Sequence, residues 1–284
     1  MFSPRWSLRR ARILVGTKFL LIAGLVGFVV FAWVVETALG LRDPVPLGRL
    51  AALLVSAIPA GLWLAFFYLQ DRHEPEPKHY VLGIFALGAL VAAPLASFVI
   101  YQASPPVALA QHGVSAWSID RMLHAIVVVA LAQELCKYVV VRYSVYMSSE
   151  FDEPMDGVVY MMAVGTGFAV WNNYHYLSDR GHEVYLSAGA ARAVIGTLAH
   201  ASFAGALGYV MGRAKFSRRS APVRSLFIFV GLLGAAILNG QFALVEQWLL
   251  SDVTSSQPWK VVGYAALMAA AVFTVLMLLT RRLL

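Results

Sequence analysis

Residues 131–176, LAQELCKYVVVRYSVYMSSEFDEPMDGVVYMMAVGTGFAVWNNYHY, hold two apolar helical runs joined by an acidic turn. The runs carry Gln133, Glu134, Lys137, Asn172, Asn173 and His175 where lipid-facing residues are expected. A charge near a bilayer centre costs roughly 2.5–3.5 kcal/mol on insertion scales, so ionisable groups there pair with one another or line a functional cavity. The stretch therefore poses a choice between a structural ion pair and a site.

The surrounding composition fixes the class. With 60% hydrophobic and 13% charged residues over 284 positions and a mean hydropathy of +0.71, the chain is too apolar and too poor in charge for a soluble domain. It reads as an all-α polytopic membrane protein, a single transmembrane domain over 1–284 forming a bundle of about eight helices. The net charge of +7 fits basic loops that orient membrane helices, and no nucleic-acid partner is expected. The single cysteine, Cys136, forms no internal disulfide and supports neither a thiolate cluster nor a redox motif. It reads as a small apolar filler.

Working outward, Arg5, Arg9, Arg10 and Arg12 precede an apolar run from Phe19 to Val35. The run exceeds the roughly 7–15 residues of a signal h-region, so an uncleaved first span is expected. Further spans are expected over about Leu50–Leu69, Val81–Tyr101, Met122–Met147, Gly157–Leu177, Leu186–Met211, Leu226–Leu249 and Val261–Leu279, each near the roughly 20 residues that cross the hydrocarbon. An uncharged loop with Pro105 and Pro106 follows the third span, and a basic loop with Arg213, Lys215, Arg218, Arg219 and Arg224 follows the sixth. Eight spans put both termini on one side. The N-terminal arginines, the basic loop and Arg281–Arg282 share that side, which the positive-inside rule makes cytoplasmic. The segments QDRHEPEPKHY (70–80) and SSEFDEPMD (148–156) then face the cytoplasm too.

Glu134 and Lys137 lie three apart on a helix, so their side chains can meet and neutralise each other. On spacing alone, a buried ion pair that holds the bundle together stands level with a functional role. The functional reading adds His200, Asn172, His175 and Asn239 on neighbouring spans as converging polar groups. Arg192, about two turns from His200, reads as snorkelling or interfacial. The glycines of VGTGFAV and GALGYVMG are expected to let helices approach closely.

The order FYLQDRHEPEP, QELCK, FDEPMDGVVYMMAVGTGFAVWNN and AHASFAGALGYVMGRA resembles the PrsW family of intramembrane metalloproteases, within the superfamily of CAAX-type prenyl endopeptidases. The likeness covers about Leu50 to Phe242. It implies a helical bundle around a zinc site that cleaves a membrane-embedded or juxtamembrane substrate such as an anti-sigma factor, in a bacterial cytoplasmic membrane.

The departures from the family pattern carry as much as the match. Where the family has Glu-Glu-x-x-Lys, this chain has Gln133-Glu134-Leu135-Cys136-Lys137, and its Phe-x-x-x-Glu becomes Phe168-Ala169-Val170-Trp171-Asn172. The family's histidine of the last motif falls at Asn239. The resemblance thus assigns Gln133, Glu134 and Lys137 to the catalytic positions and His200, Asn172 and Asn239 to the metal positions. A hydrolytic zinc centre takes three protein ligands of His or carboxylate type and an activated water. An amide is neutral and cannot serve as general base. His175, about 60° round the helix from Asn172, is the one candidate to replace a lost ligand.

Two functional classes follow. One is a degenerate family member, a pseudoprotease without zinc, that binds a membrane protein or lipid in the former substrate cavity. The other is an active, divergent zinc protease using Glu134, His175 and His200. A small transporter with Glu134 as proton relay lacks the repeats and broken helices of that class.

Overall fold

The computed structural model describes residues 4–41, 47–69, 76–104, 118–178, 185–251 and 258–280. Residues 70–75 of the first acidic segment, Pro105 and Pro106, and Arg281 and Arg282 lie outside the described residues. The described chain forms eight long helices: α1 (Pro4–Ala38), α2 (Arg49–Tyr68), α3 (Lys78–Ala103), α4 (Ile119–Ser144), α5 (Pro154–Ser178), α6 (Leu186–Lys215), α7 (Ala221–Ser251) and α8 (Pro258–Thr280). No strand occurs among the described residues. The expected all-α, polytopic architecture is therefore present.

Seven of the eight helices are long and apolar enough to cross a membrane. The exception is α5, whose polar Asn172, Asn173 and His175 lower its hydropathy. Its 25 residues still span about 37 Å at 1.5 Å per residue. Every residue from Met155 to Ala169 is buried, so this part of α5 faces protein, as much of α6 also does. A helix enclosed by its neighbours has no need of a uniformly apolar surface.

The centre of the bundle is the α5–α6 pair, which makes the most extensive helix packing in the fold. Both helices are rich in glycine and alanine, and small residues let helix backbones approach in a membrane, where apolar burial gives little drive. A Cβ at Gly157 would meet the Gly208 carbonyl, and one at Gly212 the Pro154 carbonyl. Around this pair, α2 and α3 cover α5, while α1, α7 and α8 cover α6. Helix α4 closes the ring between α3 and α7. We expect Gly208→Ala to lower stability by about 1–3 kcal/mol, the usual range for overpacking, because the methyl would land on the Gly157 carbonyl and 2.8 Å from Met161 Cβ. A melting curve checks this, and an unchanged melt would show that α5 and α6 can separate freely.

Hydrogen bonds tie loops together at each end of the bundle. At one end Lys215 Nζ donates to the carbonyls of Tyr146 (2.6 Å) and Phe151 (2.5 Å), joining the α6–α7 turn to the α4–α5 turn. Tyr160 donates there to the Glu76 carboxylate, and Tyr68 donates to the Glu76 carbonyl at 3.1 Å. Asp156, buried in the first turn of α5, accepts from the amides of Asp152 and Glu153, both at 2.7 Å. Its carboxylate thus satisfies donors at the helix start, as a capping residue does. At the opposite end the Leu47 amide donates to the Leu177 carbonyl (3.2 Å) and the Ser187 amide to Glu36 (2.8 Å).

Two helices leave α geometry beside the centre. Gly88–Ala92 of α3 and His124–Ala130 of α4 are π-helical, a form that recurs at functional sites. The second is separated by Leu131 and Ala132 from Gln133, where the QELCK motif begins.

Candidate functional site

Six of the seven residues singled out from the sequence meet in one hydrogen-bonded chain at mid-bundle. Lys137 Nζ donates to Glu134 Oε1 at 2.6 Å, and both side chains are wholly buried. On one side of this pair, Asn239 of α7 donates to Glu134 Oε1 at 2.8 Å and to Gln133 Oε1 at 2.9 Å. On the other side, Lys137 Nζ lies 3.5 Å from His200 Nδ1 on α6, and Asn172 of α5 lies 3.1 Å from His200 Nε2. Four helices thus contribute to one polar thread.

The proton arrangement follows from the donors. Lys137 is a donor only, so it gives a hydrogen to Nδ1, and a neutral imidazole then carries its own proton on Nε2. Turning the Asn172 amide so that its oxygen faces Nε2–H satisfies the ring, and amide orientation is set by this kind of network argument. Glu134 Oε1 receives Lys137 and Asn239, whereas Oε2 is buried with no hydrogen-bond partner among the described residues.

Phe168, the aromatic of the F-x-x-x-N run, forms one wall. Lys137 Nζ stands 4.6 Å from its ring centroid and the His200 ring 5.3 Å. The negative face of the ring favours an ammonium. Its part in the site is not readable from the motif alone, because aromatic residues in an apolar helix normally signal only packing. The local folding is equally direct: Gln133 and Asn239 meet because α4 packs along α7, and Asn172 meets His200 because glycines bring α5 against α6. A Cβ at Gly165 would fall 2.6 Å from the His200 carbonyl.

His175 is not in this chain of contacts. It is exposed and packs on Trp171 and Tyr174, with ring centroids 4.3 and 5.2 Å away. Asn173 faces elsewhere too, accepting from Arg192 at 3.1 Å and donating to the Ala193 carbonyl at 3.3 Å. Arg192 also stacks on Tyr176, 3.7 Å from its centroid, so it anchors α6 to α5. Cys136 is buried and unpaired in a disulfide, as its apolar setting suggested.

A family model for PrsW family intramembrane metalloproteases matches residues 76–277. The chain belongs to the PrsW family. It is 35% identical to the protease PrsW of Geobacillus kaustophilus over 199 residues, covering 69% of this chain and 79% of that protein. It is 29% identical to the protease PrsW of Bacillus subtilis over 211 residues, covering 74% and 89%. No solved structure matches it.

The residues of this PrsW-family chain do not fit a hydrolytic zinc centre. Such a centre takes three His or carboxylate ligands and keeps a position for water. The thread offers one carboxylate and one imidazole, and no three His, Cys, Asp or Glu side chains converge among the described residues. The Lys137 ammonium stands between the two donors, within reach of both.

Proposed function

We propose that this PrsW-family protein is catalytically degenerate and binds a membrane-embedded protein segment or lipid in its former substrate cavity. The observation that carries the reading is the closed thread. Each family position that holds an amide here, Gln133, Asn172 and Asn239, is hydrogen-bonded to Glu134, to His200 or to another amide. Apolar space for an occupant opens on another face of α5, away from the thread residues. A cavity of about 360 Å³ is lined by Val170, Trp171 and Tyr174 of α5, by Arg49, Leu50 and Leu53 of α2, and by Leu90 of α3. The exposed, stacked position of His175 favours this reading over an active site built from Glu134, His175 and His200.

The direct test is zinc per chain in purified protein. We expect far less than one, with a melting curve unmoved by chelation. Stoichiometric zinc whose removal lowers the melt would overturn the reading.

The same proposal places the protein in a bacterial cytoplasmic membrane with both termini cytoplasmic. The basic α6–α7 turn supports it by the positive-inside rule, and Lys215 ties that turn to the acidic α4–α5 turn on the same side. In a Cys136→Ala background, single cysteines at Ser217 and Ser251 should label from opposite faces of the membrane. Labelling of both from one face would sink the eight-span orientation.

A further inference from the structure

A second cavity, of about 600 Å³, lies where α5 begins, α6 ends and α7 begins. Its lining includes Arg213, Arg219 and Arg224, the Ser217 hydroxyl, and the rings of Tyr209 and Phe227. That volume is within the usual range for small-molecule sites. Two of the three arginines are held by aromatic neighbours. Arg213 donates to the Tyr209 hydroxyl at 3.0 Å, and the Arg219 guanidinium stands 4.8 Å from the Phe227 ring centroid. None of the three guanidiniums has a salt bridge to a carboxylate among the described residues. The segment 213–224, RAKFSRRSAPVR, contains no acidic residue.

Its place in the fold selects the occupant. The apolar segment Ala221–Leu244 starts at the cavity, which puts the guanidiniums at the level where lipid phosphates lie. Immediately beyond, Leu226, Phe229 and Val230 expose more than half of their surface, as a face against acyl chains would. Guanidinium groups match phosphate oxygens in charge and in paired hydrogen-bond geometry.

We propose that this cavity binds the headgroup of an anionic phospholipid, with Arg213, Arg219 and Arg224 on the phosphate and the acyl chains along the outer face of α7. The site is independent of the mid-bundle thread, so neither reading depends on the other.

The test uses full-length protein in neutral detergent, with bound lipid counted by native mass spectrometry. Phosphatidylglycerol, phosphatidylcholine and inorganic phosphate are the probes. Wild type should bind phosphatidylglycerol at least tenfold more tightly than phosphatidylcholine. A basic residue near an anionic surface contributes about fivefold, so Arg213→Gln, Arg219→Gln and Arg224→Gln together should weaken binding roughly 100-fold. Arg218→Gln, in the same loop but outside the lining, should leave it within about twofold. The triple Arg→Lys variant keeps the charge and loses the paired geometry, so it should bind more weakly than wild type and more tightly than the glutamine variant, and matching melting curves for the three proteins show that a loss of binding is not one of folding. If Arg218→Gln weakens binding as much as each lining variant, the effect is general loop charge and the site is wrong. If inorganic phosphate displaces the lipid at equal concentration, the cavity takes a free anion and the lipid assignment is wrong.

Discussion

Glu134→Gln should destabilise the protein by about 3–5 kcal/mol, the range for breaking a buried ion pair by removing one partner. The substitution keeps the shape of the side chain and removes its charge. Lys137 would keep a neutral amide oxygen at position 134, His200 Nδ1 at 3.5 Å and the Phe168 ring at 4.6 Å as neighbours of its ammonium, and none of these is an anion. An unpaired charge in a wholly buried position is what makes the change severe. Replacing both partners, as Glu134→Gln with Lys137→Met, should recover most of the loss, because no unpaired charge is then left buried. The coupling between the two sites, read from melting curves of both singles and the double, should exceed about 1 kcal/mol, as expected for residues in direct contact. A melt unchanged by Glu134→Gln would rule out a structural pair. This prediction separates the pair's role in folding from any role in chemistry, which spacing along the sequence left level.

The helices were readable because each apolar run is close to a membrane thickness, and turn residues or charges mark its ends. The observed helices begin and end within a few residues of the expected spans, except where α1 and α7 continue past the apolar run. The inner position of α5 was less legible. Its low hydropathy points toward the bundle interior, but only contact with α6 shows that glycines such as Gly157 and Gly208 carry that placement. The polar thread was legible in membership and not in order. Gln133, Glu134, Lys137, Asn172, His200 and Asn239 are conspicuous in apolar helices, and family resemblance grouped them. Which touches which depends on helix rotation, and the π-helical turn before Leu131 alters the face that α4 presents in a way no periodicity announces. For the same reason His175, close to Asn172 by helical angle, was a reasonable ligand candidate on the sequence. In the fold the 60° between them is enough to carry it out to Trp171 and the surface.

Introducing together the three residues that the family resemblance implies, as Gln133→Glu, Asn172→Glu and Asn239→His, should build a metal-binding site in this scaffold. The contacts already have the right partners. Asn239 lies within hydrogen-bond distance of both Gln133 and Glu134, and Asn172 within that distance of His200. The triple variant would therefore bring two added carboxylates and an added imidazole to the existing carboxylate and imidazole, which is enough for three ligands and a general base. Each single reversion should do little, because a site still short of ligands binds metal weakly and groups that act as a unit are not additive. Metal-free, the triple variant should melt below wild type, since three carboxylates would share one buried ammonium and repel one another. Zinc at about 100 times its dissociation constant should return roughly 2.7 kcal/mol, while wild type should be indifferent to zinc and to chelation. The readouts are the shift in melting curve on chelation and the zinc bound per chain, so the result does not depend on finding a substrate. A triple variant that folds and takes up no zinc would show that the amides are not what keeps the metal out.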